Sequence, residues 1–423
     1  MGRFALPAIV VFGFLIRLAY AAAIYDPSLL PYHYGDWTEY ALAAEQIASG
    51  DLSFTSSYFV VRPPLFPLLI AALDMRPSLI IALNIIIASG IIPVTYALAR
   101  LCGLSRQFAL LAALLLALDP TSVKYSGVML AEPLANILLA LAFLSLAALR
   151  RTQPMPRVVM LGAGGGALIV LSALTRPAAY LLWIPMAFWI AATTKRRKGL
   201  VVLAFVLPAC IGVIGWKQHN AHYHKGSGFS SIGTFNLLYY RAAMVRYWAH
   251  GRQDIDATYV ELATRVEEKL GNEVTDIGPD QKWEHRGSWP GQAAAMNEVA
   301  LEVFLAHPLE YVLTLLIGAY RILFEVKVEW QAAGIPVWFA FLWNAALLSA
   351  TSIGWRSLVR QRRWSIAAFL LVPCLYFVCG TLLVQTSGID TRARVMITPL
   401  LAIMAAYGLM HLLNRRRAAS ASP

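Results

Sequence analysis

The chain runs to 423 residues, 59% of them hydrophobic and only 14% charged. A soluble domain carries about 25% charged residues, so the deficit excludes a water-soluble globular protein, and the continuous apolar runs exclude a β-barrel, whose strands alternate. The formal net charge of +12 invites a nucleic-acid partner, but Arg and Lys gather in short connectors at Arg150–Arg151, Lys195–Lys198, Arg356–Arg363 and Arg415–Arg417, which is the positive-inside signature of cytoplasmic loops and not a groove for nucleic acid.

Taken in chain order, Phe4–Ile24 is long enough to cross the hydrocarbon core, which takes about 20 residues. Ala21–Ala23 resembles a signal-peptide cleavage site, yet the apolar stretch is longer than a signal core and Arg17 interrupts it, so it reads as an uncleaved first span. Residues 25–78 then form a loop with short helices of its own, one at Tyr40–Ser49 ending at Gly50, another at Leu65–Leu73 behind Pro63–Pro64. Further spans are predicted near 79–99, 107–123, 126–149, 157–175, 178–194 and 199–216. A hydrophilic segment, 217–308, carries Trp283, Trp289 and a helical stretch at 292–305, and is read as an external cap. More spans are predicted near 335–353, 365–384 and 395–412. Segment 309–326 is apolar enough to span, but a full crossing would put Arg356–Arg363 outside; with Glu325, Lys327 and Glu329 behind it, it reads as interfacial or re-entrant. The expectation is an all-α polytopic protein of the cytoplasmic (inner) membrane with about ten or eleven transmembrane helices, organised as 1–216, 217–308 and 309–423, without internal repeats. With the N-terminus inside, loop 25–78 and segment 217–308 lie outside.

Charged residues in or beside spans are costly and mark function. On this topology Asp36, Glu39, Arg62, Asp119, Lys124, Glu132, Arg176, Arg392 and Arg394 share one depth at the outer surface. Asp36, among aromatics at a lipid–water boundary, is placed to act as a general base on a hydroxyl; the blander role is an N-cap. Arg62 in Arg62-Pro63-Pro64 and Arg176 in Arg176-Pro177 set guanidinium groups on stiff turns, where a fork of donors suits a phosphate; the blander role is snorkelling. Asp119-Pro120 and Glu132-Pro133 flank a turn that also holds Lys124. His219, His222 and His224 cluster without a Cys or fixed acid, and the four cysteines, Cys102, Cys210, Cys374 and Cys379, lie in or beside apolar spans, so neither set reads as a metal site or a disulfide framework. Gly-rich nucleotide loops, GxSxG and HExxH are all absent from the sequence. A group transferred at this surface has to arrive on a lipid, and a phosphate headgroup fits the basic residues.

At these residues the sequence resembles the GT-C superfamily of membrane glycosyltransferases, in the branch of protein O-mannosyltransferases and lipid A aminoarabinose transferases. The resemblance runs through Gly35-Asp36 with Glu39-Tyr40, Val61 to Pro67, Asp119-Pro120 to Pro133, Leu174 to Pro177, His307-Pro308 and Arg392-Ala393-Arg394. It implies a seven-span N-terminal module and inverting transfer of a sugar from a polyprenyl-phosphate-sugar donor to a hydroxyl of a lipid, glycan or protein acceptor. Asp36 matches the family's base, Arg62 and Arg176 its phosphate-holding positions, and Asp119 and Glu132 its second acidic loop. Lys124, Arg392 and Arg394 join the phosphate-binding set, and Glu39, Asp119 and Glu132 the substrate-binding one. Val61 stands where some relatives carry a metal ligand, so no cofactor is firmly implied and only a divalent cation stays open. The alternatives are a lipid-diphosphate-dependent transferase and a lipid or solute transporter; a transporter would be expected to show paired repeats and broken helices at the midplane.

Overall fold

Each long apolar run is a helix in the computed structural model, which describes residues 4–25, 35–150, 154–194, 197–224, 226, 228–252, 254–272, 277–287, 290–324, 336–386 and 391–421. Trp289, Glu325, Lys327 and Glu329 lie outside the described residues. In chain order the helices are α1 (Ala5–Ile24), α2 (Gly35–Ala48), α3 (Tyr58–Val61), α4 (Leu65–Ala72), α5 (Pro77–Leu101), α6 (Arg106–Leu118), α7 (Pro120–Ser126), α8 (Glu132–Leu149), α9 (Met155–Thr175), α10 (Trp183–Thr193) and α11 (Lys198–His224). Then come α12 (Ile232–Phe235), α13 (Ala243–Ala249), α14 (Ile255–Leu270), α15 (Gln281–Glu284), α16 (Pro290–Ala306), α17 (Pro308–Phe324), α18 (Val337–Arg360), α19 (Trp364–Val384) and α20 (Thr398–Ala421).

Among the described residues seven helices are long and apolar enough to cross a membrane, and nine if each of two bent pairs is one span. The protein is a multi-span membrane protein. Two expected spans fall short of that measure: 178–194 is a shorter apolar stretch, Pro177–Thr193, and 335–353 lies in α18, whose last turns carry Arg356 and Arg360. The span expected at 107–123 is bent by 54° between α6 and α7. Pro120 is the cause, since a residue before proline is pushed out of the helical region, and Asp119 is extended, at φ −62° and ψ 115°. Residues 309–324 of the segment read as interfacial or re-entrant lie in α17, turned 104° from α16.

Packing in the bundle depends on small residues where backbones approach closely. A Cβ on Gly354 would lie 1.8 Å from the Met404 carbonyl oxygen, and one on Gly408 2.0 Å from that of Ala350, so α18 and α20 cross at backbone contact. Arg17, buried in α1, donates through its two terminal nitrogens to the Gly13, Ala117 and Leu116 carbonyls and the Ser122 hydroxyl. The segment from Ile232 to Ala306 builds its own apolar core of Phe235, Leu238, Tyr239, Leu262, Val266 and Met296, which includes a π-helical stretch at Asn236–Ala242.

Candidate active site

The first loop folds as its pattern predicts. In α2, Trp37, Tyr40 and Ala44 form the buried stripe, spaced as one helical face requires, and the Tyr40 ring meets Phe66 of α4 edge-on at 5.0 Å. That docking leaves Asp36 and Glu39 on an adjacent face. Arg62 is extended (φ −121°, ψ 101°) between α3 and Pro63, and Arg176 is extended (φ −145°, ψ 115°) between α9 and Pro177. Both arginines therefore end a helix on a residue that proline holds extended, which fixes the direction of each side chain. The cap is tied to the same turn: the Ser231 amide donates to the Val60 carbonyl at 3.0 Å and the Ser230 hydroxyl to that of Val61 at 3.0 Å.

These elements converge on Asp36. Arg62 pairs with Asp36 and, through Nε, with Glu39 at 2.7 Å. Arg392, from the 3-10 turn Thr391–Ile397 that leads into α20, reaches the other Asp36 oxygen at 2.7 Å and also pairs with Glu132. Arg176 pairs with Glu132 as well. Arg286 lies 2.8 Å from Glu39 and 3.3 Å from Asp36. The cluster thus gathers four guanidinium groups around three carboxylates. Its open edge is formed by Asp36, Arg392 and Arg176, whose side chains keep 20%, 20% and 22% exposure, whereas Arg62 keeps 8% and Glu132 none.

Burial opposes ionisation of Asp36, but the charges of Arg62, Arg392 and Arg286 outweigh it and hold the carboxyl well below the usual carboxylate range. Arg176 is affected the other way: burial and the like charge of Arg392 bring it down to about 10.

Of the residues singled out from sequence, Asp36, Glu39, Arg62, Glu132, Arg176 and Arg392 meet here. Asp119 and Arg394 do not share a direct pairing with them. Asp119 is the N-cap of α7, accepting from the Ser122 amide at 2.8 Å and the Trp343 indole at 3.3 Å, and Arg394 lies 3.4 Å from it and 3.0 Å from Thr121. Arg394 also donates to Asn344, so this second, fully buried group joins α7, α18 and the 3-10 turn. Asp119→Ala would strip a buried arginine of its carboxylate, so it should lower stability by about 3–5 kcal/mol, read as a fall in unfolding temperature and in folded protein recovered from membranes. Lys124 is buried beside the Tyr125 ring, 5.1 Å from its centre, and the same ring lies 6.0 Å from the Arg392 guanidinium carbon.

Arg286 was not anticipated from sequence. It sits in a polar segment of mixed charge, where one more cation is unremarkable; the weak signal was its place beside Trp283 and His285. The Ser231 hydroxyl donates to its carbonyl at 2.6 Å, and its guanidinium lies over Phe235 and Trp283. The histidines at the end of α11 are likewise structural: His219 and His224 meet the Ser53 and Phe54 carbonyls at 2.9 and 3.3 Å. The residues around Asp36 and Glu39 do not fit a divalent cation either, since guanidinium groups already occupy these oxygens and would repel it. Among the described residues no group of three or more His, Cys, Asp or Glu gathers as a metal site would.

Residues 72–168 match the family described as dolichyl-phosphate-mannose-protein mannosyltransferase. The chain is similar in structure to archaeal oligosaccharyltransferase AglB from Archaeoglobus fulgidus in complex with an inhibitory peptide and a dolichol-phosphate, at TM-score 0.55 and 14% identity, covering 99% of this chain and 52% of that one. It is also similar to the apo form of the Archaeoglobus fulgidus oligosaccharyltransferase, at TM-score 0.57, 14% identity and the same coverage of 99% and 52%. The chain thus spans about half the length of these structures. No curated protein matches it. The family match is confined to residues 72–168, which hold Asp119, Lys124 and Glu132 but not Asp36 or Arg62, whereas the fold is shared with these oligosaccharyltransferase structures along 99% of the chain.

Proposed function

We propose that the protein is a glycosyltransferase that moves a sugar from a polyprenyl-phosphate donor to an acceptor hydroxyl, with inversion, at the outer face of the cytoplasmic membrane. The observation that carries this reading is Asp36 ringed by Arg62, Arg286 and Arg392, with Arg176 at the open edge. Four guanidinium groups against three carboxylates leave a surplus of one positive charge, which suits the single negative charge of a sugar phosphodiester better than a diphosphate. The matched family is described by a dolichyl-phosphate sugar, and one similar structure holds a dolichol-phosphate; both support a lipid-phosphate donor.

In this mechanism the donor phosphate meets Arg392 and Arg176 at the open edge. The acceptor oxygen attacks the anomeric carbon as Asp36 takes its proton, and the bond from that carbon to the phosphate oxygen breaks. Polyprenyl phosphate leaves with one more negative charge than it brought, and the guanidinium groups meet that charge in a site partly shielded from water, where such stabilisation is strongest. Arg62 holds Asp36 and Glu39 from behind. The test is transfer of labelled sugar from a synthetic polyprenyl-phosphate donor by the purified protein in nanodiscs, with release of polyprenyl phosphate. Protein that binds the donor but releases none with any acceptor hydroxyl would end this reading.

A pH dependence follows. In the resting protein the Asp36 carboxyl is held low, so the carboxylate persists as pH falls through the usual carboxylate range, and the acid limb of kcat/KM should lie below that range. A bound phosphate draws the fields of Arg392 and Arg176 to itself and displaces water, and both effects raise Asp36. The acid limb of kcat should therefore sit at higher pH than that of kcat/KM. Coincident limbs would mean that the donor does not occupy this edge.

The orientation has its own check. In a cysteine-free background, Ser57→Cys in the first loop and Ala257→Cys in the cap, both at exposed positions, should react with an impermeant thiol reagent in intact cells. Labelling only after permeabilisation would put the cluster on the cytoplasmic side.

A further inference from the structure

The end of the bundle away from Asp36 holds a second feature, independent of the proposed transfer. Helix α8 begins with Glu132 in the carboxylate cluster and ends at Arg150, which its 18 residues place roughly 27 Å away. There a hollow of about 330 Å³ is lined by Arg150, Arg362, Arg363, Trp364, Ser365 and Ile366. The connectors at this end, 100–106, 150–157, 194–198 and 356–364, contain no Asp or Glu, and three guanidinium groups border one cavity. Ser365 lines the same hollow, and its hydroxyl is buried and makes no hydrogen bond. Buried polar atoms are rarely left so, and an orphan of this kind calls for a missing partner.

The backbone is committed to this arrangement. Arg362 sits at φ +56° in the turn between α18 and α19, a left-handed conformation that glycine would adopt at less cost. Its neighbour Arg363 is held by the Cys102 carbonyl at 2.8 Å and lies over the Tyr407 ring, so its direction is set before any ligand arrives.

We propose that this hollow binds the phosphate headgroup of an anionic phospholipid from the leaflet opposite the Asp36 site. The forks of Arg362, Arg363 and Arg150 match phosphate oxygens, and the Ser365 hydroxyl supplies one more donor. A lipid is favoured over a free anion by position. Arg150 and Trp364 stand at the ends of spanning helices, where the chain meets the lipid–water boundary, and Trp364 is 59% exposed, as tryptophans at headgroup level are. Basic pockets between transmembrane helices on the cytoplasmic side recognise anionic headgroups in this way.

The experiment is native mass spectrometry of the full chain released from detergent, titrated with phosphatidylglycerol or phosphatidylcholine. The first phosphatidylglycerol should bind roughly tenfold more tightly than phosphatidylcholine, the scale of one charge-assisted hydrogen bond. Arg362→Gly removes one guanidinium while suiting the left-handed backbone, so its fold is safe, and it should erase most of that preference; Ser365→Ala should weaken it less. Equal binding of the two lipids, or an unchanged preference in Arg362→Gly, would overturn the proposal. So would displacement of the lipid by millimolar inorganic phosphate, which would mark a free-anion site instead.

Discussion

Asp36→Asn should abolish sugar transfer while leaving donor binding and the fold in place. The amide keeps the shape of the carboxylate, and its one oxygen can accept from Arg62 or from Arg392, which hold different oxygens of Asp36, but it has no basicity for the proton of the acceptor hydroxyl. Loss of a general base costs about 10²–10⁴ in rate, whereas loss of a helix N-cap costs about 1 kcal/mol of stability and nothing in chemistry. The two roles for Asp36 thus differ in kind. The variant also loses the negative charge that pairs with three arginines, so it should bind an anionic lipid at least as tightly as the wild type. Transfer of label, donor retention in nanodiscs and thermal unfolding, measured on one preparation, separate the cases. A stable Asp36→Asn protein with near-normal turnover would remove Asp36 as the base and make Glu39 the next residue to test.

Much of this site was legible in the sequence because its members are out of place there. Glu132 in an apolar run, Arg176 between two spans, and Arg62 and Arg392 beside spans are too costly to be incidental, and all four lie with Asp36 in the structure. Depth in the membrane, however, fixes one coordinate only. Asp119 and Arg394 share that depth but pair with each other, with the start of α7 and with Trp343 and Asn344 of α18, away from direct contact with Asp36. Asp119 caps α7, with Pro120 at the first helical position as at many helix starts, so one of its oxygens serves the helix and not the cluster. Arg286 was hidden for the opposite reason, because a charge in a polar segment costs nothing and so carries no signal. It reaches Asp36 across 250 residues of sequence, a distance set by the fold of the cap. Seven of the ten expected spans are helices long and apolar enough to cross, but mean hydropathy is blind to the 54° turn at Asp119-Pro120, and it was charge bias, not hydropathy, that set 309–326 apart from the full crossings.

The second large effect is expected at the open edge of the cluster. Arg392→Ala removes the guanidinium that faces both Asp36 and Glu132 and keeps a fifth of its side chain exposed. If that group meets the charge developing on the departing phosphate, its loss should lower kcat/KM for the donor by about 10²–10³, the cost of removing one preorganised donor from an oxyanion site. Arg392→Lys should recover only part of this, because an ammonium restores the charge but not the fork. Arg62→Ala supplies the contrast. Arg62 is nearly buried and pairs with Asp36 and Glu39 from behind, where water replaces a lost guanidinium less readily than at the open edge, so its removal should be felt in stability as well as rate. A purely structural role for Arg392 predicts the Arg62 pattern for both variants, with unfolding temperature and activity falling together and the lysine variant failing to rescue either. A catalytic role predicts an Arg392→Ala protein that melts close to wild type, binds the acceptor normally and turns over slowly at every donor concentration. Steady-state kinetics over a donor series, with unfolding curves on the same samples, decide between the two, and unchanged turnover in Arg392→Ala would move the leaving-group contact to Arg176 or Arg286.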